Sequence, residues 1–245
     1  MSSSAGFFRW TELDRTSFPE LRDRILRADA ESGRDQRCRS YPSYPTWRLE
    51  RPRPRRWTAL DGVLANRRCQ HRLGVNLPER RALSRLLFFA HGVQASGQRG
   101  PVPSAGGLQA VELYLVNCAA SWLPAGVYHY ARAAHLLAQL VPNANRLAWL
   151  ERVPSLQLVE GGALLWIVVG DGARVTAKYG ARGLRFLLLE AGHLMQNLCM
   201  LAASLGLITV PLGGFFESEI AAELQLPAAD EVLYVGVCGG GVGGP

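Results

Sequence analysis

The stretch LRFLLLEAGHLMQNLCMLAASLG, residues 184–206, decides how the rest of the chain is interpreted. It is apolar and long enough to cross a membrane, but five polar side chains interrupt it: Arg185, Glu190, His193, Gln196 and Asn197. Placing such groups in hydrocarbon would be costly. The pattern therefore predicts a buried helix from about residue 182 to 205, and no membrane segment.

Short segments typical of strands lie on both sides of this helix. They are VELYLVN (111–117), GVYHY (126–130), ALLWIVVG (163–170), LITVP (207–211) and EVLYVGV (231–237). ALLWIVVG is apolar almost throughout, which favours a strand buried on both faces. Further helices are predicted at 77–93, ending near Gly92, and at 217–226. This alternation predicts a sheet layered with helices, of mixed α/β or α+β class.

Composition and charge narrow the class of protein. A chain of 245 residues with 48% hydrophobic residues is expected to form one globular domain. The net charge of +7 lies within residues 1–72, which hold 16 arginines against 9 acidic residues. Without a zinc finger or an aromatic RNA-binding motif, this excess does not predict nucleic-acid binding. An acidic peptide, an acidic partner or an anionic cofactor fits it as well.

The N-terminal region has its own pattern. Residues 11–29 are predicted to form an amphipathic helix, and the proline-rich residues 40–57 an extended strap. Five cysteines without CxxC spacing indicate neither a zinc site nor a disulfide framework. No signal peptide is recognised, so we expect a reducing cytoplasm.

The segment AKYGARG (177–183) contains Lys178, the single lysine among 27 basic residues. Arginine stays protonated, whereas a desolvated lysine can lose its proton, so Lys178 is a candidate for proton transfer. The alternative, that one lysine had to fall somewhere, stays open on composition alone.

Three loops are candidates for ligand binding. PVPSAGGL (101–108) and VPLGGF (210–215) expose backbone near glycines, although ordinary turns have the same composition. NRRCQHR (66–72) clusters arginines that suit a phosphate, with a solvated helix end as the alternative.

Taken in order, RRC, PSAGG, KYGxRG, EAGHxxQN and PxGGF resemble the SagB-type dehydrogenases of the nitroreductase superfamily. The resemblance covers roughly residues 55–240. It implies an α+β nitroreductase-like fold with a mixed, mainly antiparallel sheet, and a homodimer joined through the long central helices. It also implies that each FMN sits at the subunit interface.

The matching motifs assign residues to the flavin. Cys69 stands where the family has serine, and His71 or Arg72 would supply the next basic group. From the partner subunit, the PSAGG loop would line the ring or the ribityl chain. The cofactor-binding residues that the resemblance implies are Arg67, Arg68, Cys69, His71, Arg72, Pro103, Ser104, Ala105, Gly106, Gly107, Leu212, Gly213 and Gly214.

The resemblance also answers why a lysine stands at position 178. In this branch a Lys-Tyr pair is thought to serve azoline oxidation, and Lys178 with Tyr179 matches it. Either a neutral lysine or a tyrosine helped by a cation would take the proton. No metal is expected, because Glu190 and His193 are better interpreted as a hydrogen-bonded core pair.

The expected function is therefore FMN-dependent oxidation of a thiazoline or oxazoline in a peptide or carrier-tethered intermediate, within a cyclodehydratase or synthetase complex. The alternatives are an NAD(P)H-dependent nitro or quinone reductase and a non-catalytic partner subunit. We expect residues 1–55 to be a basic extension of open role, 56–240 the FMN-binding domain and 241–245 a flexible tail.

Overall fold

The computed structural model describes residues 4–31, 38–54, 59–94, 99–119 and 121–242. Its strands are β1 (Thr46–Arg48), β2 (Val111–Asn117), β3 (Gly126–Ala131), β4 (Leu136–Pro142), β5 (Leu164–Asp171), β6 (Leu207–Leu212) and β7 (Asp230–Gly240). They form a seven-stranded sheet in the order β1-β4-β3-β2-β5-β7-β6. Each pair of neighbouring strands is antiparallel.

Helices cover both faces of the sheet. They are α1 (Ser4–Trp10), α2 (Phe18–Glu31), α3 (Leu60–Asn66), α4 (Arg80–His91), α5 (Arg146–Arg152), α6 (Gly172–Tyr179), α7 (Gly183–Ser204) and α8 (Glu217–Glu223). One core joins the sheet to α4 and α7, and the other joins it to α5 and α8. The predicted α+β architecture is confirmed.

Strand β5 shows why its sequence is almost entirely apolar. Leu164, Trp166 and Val168 enter the core beneath α7. The residues between them, among them Leu165 and Ile167, enter the core beneath α5 and α8. Because both faces are covered by helices, neither set of side chains meets water.

Helix α7 forms where the sequence predicts it. Its inward side chains, including Leu187, Leu194 and Leu198, are buried against the sheet. The run Gly172–Ser204 is long and apolar enough to span a membrane, but this packing makes α7 a core helix. On its outer face Leu188 and Leu189 are 50% and 59% exposed. That outer face is the one that the predicted dimer would cover.

The N-terminal prediction needs correction, because the helix expected at 11–29 begins at Phe18. The Asp14 carboxylate accepts hydrogen bonds from the backbone N–H groups of Thr16 and Ser17, at 2.9 and 2.8 Å. Such a side-chain contact stabilises a turn in place of a helix. A separate helix, α1, precedes this turn.

The end of α4, the strap and the C-terminal tail can also be compared with their predictions. Helix α4 ends at His91 and is capped by Gly92, near which the sequence predicted its end. The strap at 40–57 contains β1, and its residues 55–57 lie outside the described residues. In the predicted tail, Gly241 forms a β-bridge with Leu73, and 243–245 lie outside the described residues.

The two edges of the sheet are both unfavourable for further pairing. Strand β1, at one edge, is three residues long. Strand β6, at the other edge, contains Pro211, which has no N–H to donate.

Candidate functional site

The PSAGG loop leads into the start of β2. Its Ala105–Gly107 part is a 3₁₀ turn in which Gly106 and Gly107 have φ of 58° and 68°, a region that favours glycine. The Ser104 hydroxyl accepts a hydrogen bond from the Gln109 N–H at 2.8 Å. Gln109 in turn accepts from the buried Arg132 guanidinium at 2.6 Å. The loop is therefore fixed at both ends of its turn.

Lys178 and Tyr179 lie directly against this loop. A Cβ on Gly106 would stand 2.3 Å from the Tyr179 hydroxyl and 3.0 Å from Lys178 Nζ. Gly106 thus allows an approach that a larger residue would block. The structure brings together PSAGG and the Lys-Tyr pair, which are about 70 residues apart in sequence.

The end of α6 positions the Lys-Tyr pair. Asp171 caps the start of this helix by accepting from the Arg174 N–H at 2.9 Å. Gly180, with φ of 56°, follows its end. Lys178 is 8% exposed, and its amine donates to the Asp29 carboxylate. Nζ also lies 5.6 Å from the centre of the Tyr179 ring.

A cleft of about 690 Å³ opens beside these residues. It is lined by Lys178, by Pro103, Ser104, Gly106 and Gly107, and by Asp29, Arg99 and Gln109. Sequence reasoning missed Asp29 because it lies 149 residues before Lys178 and belongs to no recognised motif. Ala105 occupies the 3₁₀ turn and does not line the cleft.

Glu190, on α7, is hydrogen-bonded to this part of the site. It is 3% exposed, and its carboxylate accepts a hydrogen bond from the Val111 N–H at 3.3 Å. Burial raises the pKa of Glu190, and hydrogen bonds from Ser104 and Val111 oppose that rise. Glu190 therefore contacts both the start of β2 and the PSAGG loop.

The predicted core pair of Glu190 and His193 is wrong, because His193 is exposed. Residues three apart on a helix differ by about 60° around its axis, enough here to turn His193 outward. Asn197 forms a helix-helix contact, donating to the Ala90 carbonyl of α4 at 3.3 Å. Within the described ranges, no group of three or more His, Cys, Asp or Glu could hold a metal ion.

The basic segment at 67–72 follows α3 and is largely exposed. Arg67 contacts the Cys69 thiol at 4.0 Å. His71 Nδ1 lies 3.1 Å from the Leu158 carbonyl, and Arg72 pairs with Glu160 at 2.9 Å. The surface is therefore cationic, but Arg72 is already partly neutralised by Glu160.

The loop after β6 contains Leu212, Gly213 and Gly214. Leu212 is buried and pairs with Val235, whereas both glycines are exposed. Ser155 donates its hydroxyl to the Gly214 carbonyl at 2.8 Å. No atom lies within 4 Å of the position that a Cβ on Gly213 would take. The backbone at Gly213 is thus open to a ligand.

Residues 155–160 link this loop to the basic segment, since they contact Gly214, His71 and Arg72. No motif in the sequence identified this connection. The predicted site residues therefore form two groups. One contains PSAGG with Lys178 and Tyr179, and the other contains residues 67–72 with Leu212–Gly214.

The strand order separates these two groups. The first lies at the start of β2, and Leu212–Gly214 of the second lie at the end of β6, with β5 and β7 between the two strands. Residues 67–72 precede Leu73, which bridges to Gly241 just after β7. Neighbouring strands are about 4.8 Å apart, so the lateral separation is about 14 Å.

Two comparisons with known proteins identify the same family. Residues 64–241 match the model of the nitroreductase family. A nitroreductase-family protein of Methanocaldococcus jannaschii is 32% identical over 171 residues, covering 68% of this chain and 84% of that protein.

Solved structures show the same fold. A nitroreductase-family protein of Ralstonia eutropha has a TM-score of 0.71 at 23% identity, over 85% of this chain and 95% of that one. A chain of the E. coli microcin synthetase McbBCD complex, with truncated pro-MccB17 bound, has a TM-score of 0.60 at 19% identity. The match covers 95% of this chain and 99% of that one. A protein of Exiguobacterium sibiricum in complex with FMN has a TM-score of 0.54 at 14% identity. The match covers 77% of this chain and 92% of that one.

Proposed function

The chain belongs to the nitroreductase family, a family of flavin-dependent oxidoreductases, and we propose that it is an FMN-dependent azoline dehydrogenase. Its substrate is a thiazoline or oxazoline ring in a peptide or carrier-tethered intermediate. The contact between the Lys178-Tyr179 pair and the PSAGG loop carries this proposal. The fold shared with a chain of a synthetase complex supports a biosynthetic role, within a homodimer in the cytoplasm.

The residues present fit FMN. Arg67 and Arg68 offer guanidinium groups that suit a phosphate, and the open backbone at Gly213 suits a flat ring. From the second copy, the PSAGG loop would complete the cavity. Cys69 would contribute little, because a thiol is a weak hydrogen-bond donor.

Oxidation of an azoline to an azole removes a proton and a hydride, and bound FMN supplies the hydride acceptor. The chain itself must remove the proton. Lys178 pairs with Asp29 as an ammonium, which has no lone pair with which to accept one. Tyr179 is therefore the proposed base. It acts as the phenolate, which the neighbouring Lys178 cation favours, and returns to the phenol when it takes the ring proton.

Paired substitutions test this assignment. We expect Tyr179→Phe to retain FMN, measured by its visible absorption, and to lower azoline oxidation by about two orders of magnitude or more. We expect Lys178→Arg to lose less activity, because it keeps the positive charge. A larger loss in Lys178→Arg than in Tyr179→Phe would assign the base to Lys178. Full activity in both would contradict a catalytic pair.

A second candidate is an NAD(P)H-dependent nitro or quinone reductase, which the nitroreductase-family relative in M. jannaschii favours. Rapid reduction of the bound flavin by NADH or NADPH, without azoline oxidation, would support this reductase. Colourless protein that FMN does not reconstitute would contradict both enzymes and indicate a non-catalytic subunit.

A further inference from the structure

The N-terminal helices reach the candidate site. Helix α2 packs against α6, and its Asp29 carboxylate pairs with the Lys178 amine. The Asp29 side chain is 54% exposed, whereas that of Lys178 is 10% exposed. A carboxylate in contact with solvent thus covers an amine that is almost buried.

Arg182 and Arg185 hold the preceding helix to the same region, and the Arg185 guanidinium also donates to the Phe8 carbonyl. Arg185 Nε donates to the Thr11 hydroxyl at 2.5 Å, and Arg182 donates to the Thr11 carbonyl at 3.1 Å. The Arg185 guanidinium also lies 5.1 Å from the centre of the Phe8 ring. Thr11 is 1% exposed. The N-terminal segment is therefore docked on both sides of Gly180, which separates Tyr179 from Arg182.

We propose that Asp29 is a positioning residue of the site, contributed by the N-terminal extension, and that it holds Lys178 as an ammonium beside Tyr179. The role of Asp29 in catalysis rests on the proposed function. The ion pair between Asp29 and Lys178 is independent of that function. Among the described residues that line the cleft, the other charged residue is Arg99, and Tyr179 lies next to the amine. Of these described lining residues, Asp29 is the acidic one.

The burial of Lys178 gives this contact more weight than an exposed ion pair has. An exposed pair contributes little, because water screens both charges. Removing one partner of a buried charge leaves the other uncompensated, so it must turn to solvent or lose its proton. In the Asp29→Asn variant, we therefore expect the Lys178 amine either to turn to solvent or to lose its proton.

Because Lys178 is the single lysine in the chain, an acylating reagent reports on it directly. The full-length variants are treated with N-acetoxysuccinimide at one pH, and acetylation of the Lys178 peptide is followed by mass spectrometry. An ammonium does not react, so Asp29→Asn is expected to be acetylated about threefold faster or more. Asp29→Glu is expected to restore the slow rate.

Two further variants serve as controls. Asp23, also on α2, pairs with Arg22, so Asp23→Asn is expected to keep the wild-type acetylation rate. Thr11→Val removes the hydrogen bond from Arg185 to the Thr11 hydroxyl but keeps Asp29, and its acetylation too is expected to stay slow. If Thr11→Val reacted as fast as Asp29→Asn, docking of the helices would protect the amine, and the proposal would be overturned.

Turnover supplies a second reading. Asp29→Asn is expected to lower kcat for azoline oxidation about tenfold with little change in KM, and Asp29→Glu to recover it. An unchanged acetylation rate in Asp29→Asn, or an unchanged kcat, would overturn the positioning role. If the wild-type protein oxidises no azoline, the proposed function fails, while acetylation still tests the ion pair.

Discussion

His135 shows how burial controls the chemistry of a single side chain. It has no solvent exposure, and its ring nitrogens lie 2.9 Å from the Ser84 hydroxyl and 2.7 Å from the Tyr130 hydroxyl. Burial lowers the pKa of His135 from 6.5 to about 4. The folded protein therefore keeps this imidazole neutral under conditions in which the unfolded chain protonates it.

This difference predicts acid sensitivity. Between pH 6.5 and 4 the unfolded state binds a proton that the folded state does not. The free energy of unfolding is therefore unaffected by His135 above pH 6.5, the pKa of the unfolded state. As the pH falls from 6.5 towards 4, protonation of this histidine in the unfolded chain lowers the free energy of unfolding by about 1.4 kcal/mol per pH unit. Asn tolerates the φ of 52° at this position and does not titrate.

We expect His135→Asn to be less stable at pH 7.5, by about 1–3 kcal/mol, because hydrogen bonds are lost. It should also lose less stability than the wild type between pH 7.5 and 5. Urea unfolding at both values measures this. The exposed His193→Asn should behave as the wild type, and an undiminished pH dependence in His135→Asn would disprove the interpretation.

At the scale of helices and strands, the sequence predicts those elements whose pattern is set by burial. The apolar run of β5 and the long α7 appear where expected, because their neighbours cover them. The start of α2 was missed, because the Asp14 turn replaces a helical pattern there. Residues 155–160 contact the loop after β6 and the basic segment 67–72. These contacts join residues far apart in sequence, so the hydrophobic periodicity of the sequence does not predict them.

The outer face of α7 carries a prediction about assembly. Leu189 is 59% exposed on it. Apart from the backbone of α7 itself, no described atom lies within 4 Å of the position that a Cβ added to Gly192 would take. We expect Leu189→Glu to weaken the dimer by about 2 kcal/mol or more, since a charge would replace an apolar contact. Analytical ultracentrifugation measures this.

A matched substitution on another surface separates this effect from a general one. Leu147 on α5 is 76% exposed, so Leu147→Glu should leave association unchanged. A wild-type chain that sediments as a monomer, or a Leu189→Glu variant as dimeric as the wild type, would be evidence against this interface.

At the scale of the whole molecule, the two groups of site residues lie at separate places on the sheet. The motifs identified the members of both groups, but only the strand order shows that one chain holds them apart. If one flavin bridges two copies, each site takes Tyr179 from one copy and Arg67 from the other.

Mixing two inactive variants tests this arrangement. Tyr179→Phe chains and Arg67→Ala/Arg68→Ala chains are unfolded and refolded together, which allows mixed dimers to form. Each mixed dimer would contain one intact site, so about a quarter of the wild-type sites should return. The same variants refolded separately are the control, and no recovery in the mixture would place each site within one chain.

The edges of the sheet have a consequence for how a peptide can be bound. The short β1 and the proline in β6 leave little backbone with which an extended guest chain could hydrogen-bond. A guest recognised by strand addition would need such a template. We therefore expect a peptide to present its heterocycle through a bend or a free end inserted among side chains, so that recognition tolerates variation in the residues around the ring.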